Sequence, residues 1–228
     1  MSYSRDERRA LCALLDEKGP EAPTLCAGWT SRDLAAHLVL REHRPDAGVG
    51  ILGGPLAGYT EHVQQRLAQR VPYPQLVETV RTGPPRLSLF GIPGVDQRAN
   101  LVEYFVHHED VRRGADGWQP REIDPGLAEQ LWERLGMARL VLRKAPVGIE
   151  LARSDVDGSD GAVRRHLPGR KDALRHRITV KNGTPVVTVI GHPAELVLWA
   201  LGRTSAAQVR LDGAEKSVQA LTSARWRL

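Results

Sequence analysis

At Pro146 the sequence changes its period, and that change limits what the chain can fold into. Before it, apolar residues recur at helical spacing: Leu11, Leu14 and Leu15 within 4–18, and Leu127, Leu131, Leu135 and Ala138 within 125–144. After it they alternate, in Val147-Gly148-Ile149-Glu150-Leu151, Ile178-Thr179-Val180 and Val187-Thr188-Val189, as half-buried strands do. The chain therefore reads as a helical N-terminal domain, 1–145, followed by a small α+β domain, 146–228. Its 228 residues allow two domains, and a hydrophobic content of 41% supplies a core for each.

Local signals mark the element ends. Gly19-Pro20 stops the first helix. Thr30, with Asp33 three residues on, has the form of a capping box, and Trp29 and Leu34 take the two staple positions. That helix is expected to run to about Arg44, where Pro45 ends it. Further helices are expected at 56–70, 74–81 and roughly 95–113. In the second domain a helix is expected over 193–201, a strand over 208–211 and a last helix over 214–221. Asn182-Gly183 reads as a hairpin turn joining the second and third strands.

The most unusual chemistry lies in the helix at 95–113. Glu103 and His107 sit one helical turn apart, inside the apolar run Leu101 to Val106. A carboxylate in such company needs a partner. A divalent metal is one, and Glu with His suits zinc. The alternative is a polar stripe of Asp96, Asn100, Glu103, His107 and Asp110 facing water. A third ligand has to come from another helix, and His37, beside Leu34 and Leu38, is the best placed. The competing role for His37 is a hydrogen-bonded core histidine. Asp33, one turn before His37, is a candidate to hold its second ring nitrogen. His108 is turned by about 100° from His107 and is not expected to reach the same ion. His43 and His62 have polar neighbours and are expected at the surface.

Other motifs carry less. Gly48-Val49-Gly50-Ile51-Leu52-Gly53 matches a dinucleotide fingerprint but follows a helix end rather than a strand. Cys12 and Cys26 form no C-x-x-C pair and read as reduced thiols. The N-terminus lacks the apolar core of a secretion signal, and no apolar stretch is long enough to span a bilayer, so a cytoplasmic protein is expected. The net charge of +5 belongs to the last third: residues 146–228 hold 13 Lys and Arg against 8 Asp and Glu. Its densest part, Arg164 to Arg177, contains no aromatic residue, which argues against nucleic acid. A solvated loop or a docking surface for an anionic cosubstrate remains.

The stretch Gly28-Trp29-Thr30-Ser31-Arg32-Asp33-Leu34-Ala35-Ala36-His37-Leu38 resembles the GWT-x-x-DL-x-x-HL signature of the mycothiol-dependent maleylpyruvate isomerase N-terminal domain, one of the DinB-like metal-binding families. Glu103 to Asp110 resembles the same family's E-x-x-x-H-H-x-D helix, and Ile190 through Arg203 resembles its sterol-carrier-like C-terminal domain. An excess of Arg over Lys fits an actinobacterial, GC-rich origin. The resemblance implies an α-helical, DinB-like four-helix bundle with His37, Glu103 and His107 as ligands of a divalent metal, most often zinc. Asp33 and Asp110 would then support the ligands. It further implies mycothiol as cosubstrate and a small electrophile as substrate for isomerisation or thiol transfer, with Arg203 or the basic tract holding anionic groups. The rival expectation is a non-catalytic metal-binding module that regulates or holds a ligand. Substrate, physiological metal and oligomeric state are not given by these motifs.

Overall fold

A computed structural model describes residues 2–43, 57–84, 95–155 and 176–224, with the backbone alone at 95–99. The Gly48–Gly53 match, the side chain of Asp96 and the basic tract up to Arg175 lie outside the described residues. Two compact units are present, 1–121 and 122–228. The unit boundary falls at Arg121/Glu122, whereas the change of period falls at Pro146.

The first unit is helical: α1 (Tyr3–Lys18), α2 (Ser31–His43), α3 (Ala57–Arg70), α4 (Tyr73–Thr82) and α5 (Val95–Arg112). Helix α1 packs chiefly on α5 and α4, and α2 on α3 and α4. The α2 start is capped as expected: the Thr30 N–H and hydroxyl donate to Asp33 Oδ2 at 2.9 and 2.8 Å. Leu34 through Leu40 are buried without a break, so α2 is enclosed on all sides and takes His37 inside with it. Helix α5 is buried continuously from Tyr104 to Val111, charged residues included. Those charges are paired. Glu7 on α1 meets Arg121 through both carboxylate oxygens, at 2.9 and 2.8 Å, and His108 at 3.0 Å. Glu109 takes Arg113 at 2.6 Å and Arg121 at 2.7 Å. His108 thus faces α1, away from His107.

The second unit holds α6 (Pro125–Arg134), a 3₁₀ turn (Leu135–Met137), α7 (Ala138–Leu142), β1 (Gly148–Arg153), β2 (Arg177–Lys181), β3 (Val186–Gly191), α8 (Pro193–Ala200), β4 (Arg210–Asp212) and α9 (Glu215–Ser223). The helix expected over 125–144 is interrupted at Leu135-Gly136-Met137. Glycine favours such a break. Leu127, Leu131, Leu135 and Ala138 are still all buried. The sheet order is β2-β1-β3-β4, with β1 parallel to β3 and the other pairs antiparallel. The hairpin expected at Asn182-Gly183 therefore does not form: β1 lies between β2 and β3. The connection wraps the start of β1 instead, where the Gly148 N–H donates to the Pro185 carbonyl at 2.9 Å. A Cβ on Gly148 would collide with the Gly183 carbonyl, so the crossing depends on two glycines. Among the described residues no helix is long and apolar enough to cross a membrane.

Candidate metal centre

His37, Glu103 and His107 come together. Glu103 Oε1 lies 3.2 Å from His107 Nε2 and 3.5 Å from His37 Nε2. One atom of each residue falls within 4.8 Å of the others. Glu103 and His107 share a face of α5, and His37 arrives from α2. Both imidazoles are nearly buried, and the Glu103 side chain is a quarter exposed, so the cluster has one wet side.

The far nitrogens fix which way each ring donates. His37 Nδ1 lies 3.2 Å from Gln64 Oε1, and His107 Nδ1 lies 2.9 Å from Asp110 Oδ2. An amide oxygen and a carboxylate only accept, so both Nδ1 atoms carry hydrogen. Both Nε2 atoms then face the carboxylate oxygen, and something positive has to sit among them. Donors bound at about 2.0–2.2 Å around a tetrahedral ion lie roughly 3.3–3.5 Å from one another. The two separations from Glu103 Oε1 are of that size, so the donor set fits a divalent ion. Protons are the other means of filling the space, and they set the charge state here. Burial disfavours the charged form of His107, but hydrogen bonds with Asp110, Cys26 and Glu103 outweigh it and hold its pKa well above the usual imidazole value. Burial dominates at His37 and lowers its pKa, against the opposing pull of Glu103. Burial also opposes the charge on Glu103. His107, His37 and Arg41 overcome it, leaving the carboxyl well below its usual range.

Three further groups complete the surroundings. Arg41, one turn after His37, brings Nε to 3.4 Å from Glu103 Oε1 and donates through Nη1 to Asn100. The Trp29 ring sits 5.0 Å from the His37 ring, tilted by 49°. Cys26 Sγ lies 3.2 Å from Asp110 Oδ2 and forms a second close group with His107 and Asp110.

Asp110 stands beside His107 where a supporting carboxylate was expected. Asp33 does not reach His37: it serves the cap, and Gln64 holds the nitrogen instead. Gln64 had a signal in the sequence, because Thr60, Gln64 and Ala68 form a buried stripe at spacing four. Nothing in the spacing marks Cys26, which lies in a loop. Arg203 belongs to the second unit, where its guanidinium donates to the Leu201 carbonyl at 2.8 Å, at the end of α8. His62 is exposed as expected, whereas His43 is only half-exposed.

Residues 3–87 match the family described as Mycothiol maleylpyruvate isomerase N-terminal domain, the family that the Gly28–Leu38 motif resembles. The matched segment is just over a third of the chain and includes His37 but not Glu103 or His107. Comparison with the curated proteins and with the solved structures finds no match.

Proposed function

We propose that this protein binds zinc through His37, Glu103 and His107 and uses a low-molecular-weight thiol, mycothiol by family likeness, to isomerise or add to a small electrophile. The observation that carries the reading is the approach of two imidazole Nε2 atoms, from two helices, to one carboxylate oxygen at tetrahedral spacing. Two His and one Glu leave a coordination position open. Zinc there supplies a Lewis acid that lowers the pKa of a thiol or a water.

The chain's own residues do the rest. Gln64 and Asp110 hold the two Nδ1–H groups and so direct Nε2 inward. His107 and His37, with Arg41 behind them, keep Glu103 ionised, and Trp29 lies against the His37 ring. On this reading the first unit is a DinB-like four-helix bundle and the second a sterol-carrier-like domain, with Arg203 a candidate to hold a carboxylate of the substrate or thiol. Both cysteines are thiols rather than disulfide partners, as suits a reducing cytoplasm.

Metal analysis of protein purified without chelator tests the proposal. It predicts one equivalent of zinc, lost in His37→Ala and in His107→Ala. A metal-free wild type rules it out. Zinc that is retained, with no turnover of any electrophile in the presence of mycothiol, leaves the non-catalytic module as the function.

A further inference from the structure

The loop between α1 and α2 reaches both candidate histidines, and it is firmly built. Its ends are closed by the Ser31 N–H on the Ala22 carbonyl at 2.8 Å and the Arg32 N–H on the Pro20 carbonyl at 3.0 Å. Inside it, the Trp29 N–H donates to the Cys26 carbonyl at 2.9 Å across a tight turn. Gly28 takes the third position of that turn with φ +78°, a conformation that favours glycine. Thr24 Oγ1 receives the Cys26 N–H at 3.2 Å and donates to the Trp29 carbonyl at 2.9 Å. The loop is then fastened to α5 by the Leu25 N–H on the Asp110 carbonyl at 3.0 Å. Pro23 lies so close to Gly114 that no Cβ would fit there.

The Cys26 thiol follows from this fastening. Asp110 is fully buried, and its Oδ2 receives both His107 Nδ1–H and Cys26 S–H, at 2.9 and 3.2 Å. A buried carboxylate oxygen keeps its place through the donors it accepts, and each one lost loosens it. The two donors act as opposing stays: one comes from the ligand helix, the other from the loop. We propose that Cys26 is a positioning residue for the metal-binding imidazole of His107, acting through Asp110 and through the thiol's own closeness to the ring, since one atom of each of the three lies within 4.8 Å of the others. This rests on the metal reading above. The thiol itself binds no metal and takes part in no bond change.

The test measures zinc affinity on the full chain by competition with a chromophoric chelator, with the unfolding midpoint of the metal-free protein as a fold control. Cys26→Ala should weaken binding about tenfold, in the range of lost outer supports to a metal ligand. Cys26→Val, similar in size but without a donor, should do the same. Cys26→Ser, whose hydroxyl donates to the same oxygen, should stay within about threefold of wild type. Unchanged affinity in the Ala and Val variants overturns the proposal, as does a Ser variant as weak as Ala. Cobalt substitution separates the other role: a thiolate-to-cobalt charge-transfer band, lost in Cys26→Ala, makes Cys26 a ligand and overturns it too. If the wild type takes up no zinc, the metal reading fails. The proposal is then decided by the His107 Nδ1–H proton resonance of the metal-free protein. That resonance should shift or broaden in Cys26→Ala and hold in Cys26→Ser; no change in Cys26→Ala overturns the proposal.

Discussion

Gln64 Oε1 stands 3.2 Å from His37 Nδ1, so a buried amide of α3 sets the direction in which a histidine of α2 presents its other nitrogen. The pair joins two helices that also share Leu40 and Val63. Gln64→Leu should lower zinc affinity about tenfold, because the freed ring can turn or change tautomer. Gln64→Glu keeps an acceptor at the same reach and should retain tight binding. Competition with a chelator measures both. Equal affinity in wild type and Gln64→Leu would show that packing alone holds the ring.

Acid and base should act oppositely on the metal-free and metal-bound protein. The folded-state pKa of His107 is raised, so in the metal-free protein its contribution to stability is complete below the unfolded imidazole value. It is lost as pH rises through the folded value. Metal binding needs Nε2 without its proton, so bound zinc is favoured by the same rise in pH. The shift in unfolding midpoint on adding chelator should therefore be larger at about pH 9 than at about pH 6. Scanning calorimetry at the two pH values reads it directly, and a shift that shrinks with pH contradicts the assignment of His107.

Much of this was legible from residue patterns because the signals are local. The α2 cap, the spacing of Glu103 and His107, and the position of His37 beside Leu34 and Leu38 all lie within a turn or two of helix. Asp110 at spacing three from His107 was legible for the same reason. What was not legible depends on distant chain. Cys26 reaches the cluster from a loop, and no short-range rule joins 26 to 110; the spacing of Gln64 marks its face of α3 but not its partner on α2. The Asn182-Gly183 signal was a hairpin signal in isolation. It gave way to β1, whose parallel pairing with β3 aligns Gly148 to Arg153 with Val186 to Gly191. The 3₁₀ break at Gly136 leaves the apolar spacing intact and so was invisible in it.

The Glu7–Arg121 pair should govern acid stability of the first unit. Burial of Glu7 opposes its charge, but His108 and Arg121 outweigh it and hold the carboxyl below its usual value. A lowered carboxylate pKa contributes stability above the ordinary value and loses it as pH falls through the folded value. Glu7→Gln removes that charge, leaving Arg121 paired with Glu109 and His108 facing an amide, at a cost of about 2 kcal/mol near neutrality. Urea unfolding at neutral and acid pH should show this penalty shrinking as the solution is acidified. A constant penalty would mean that lost packing, not lost charge, is responsible.

Among the described glycines of the first unit, Gly114 should be the most sensitive. A Cβ there would meet the Pro23 carbonyl, and Pro23 belongs to the loop that carries Cys26 and Trp29. Both sides of this contact are backbone, so the clash cannot be relieved by a side-chain rotation. Gly114→Ala should push the loop away from α5, at about 1–3 kcal/mol of stability. Because Leu25 is bonded to Asp110, the same movement should draw Cys26 off Asp110 and weaken zinc binding in parallel. Gly58→Ala in α3 is the control: its Cβ would enter open space, so helix propensity should add up to about 1 kcal/mol. Unfolding midpoints and zinc affinities of the two variants, measured together, should separate: both fall in Gly114→Ala and neither falls in Gly58→Ala. If Gly114→Ala loses stability with its zinc affinity intact, the loop is a structural strap only and not part of the metal centre.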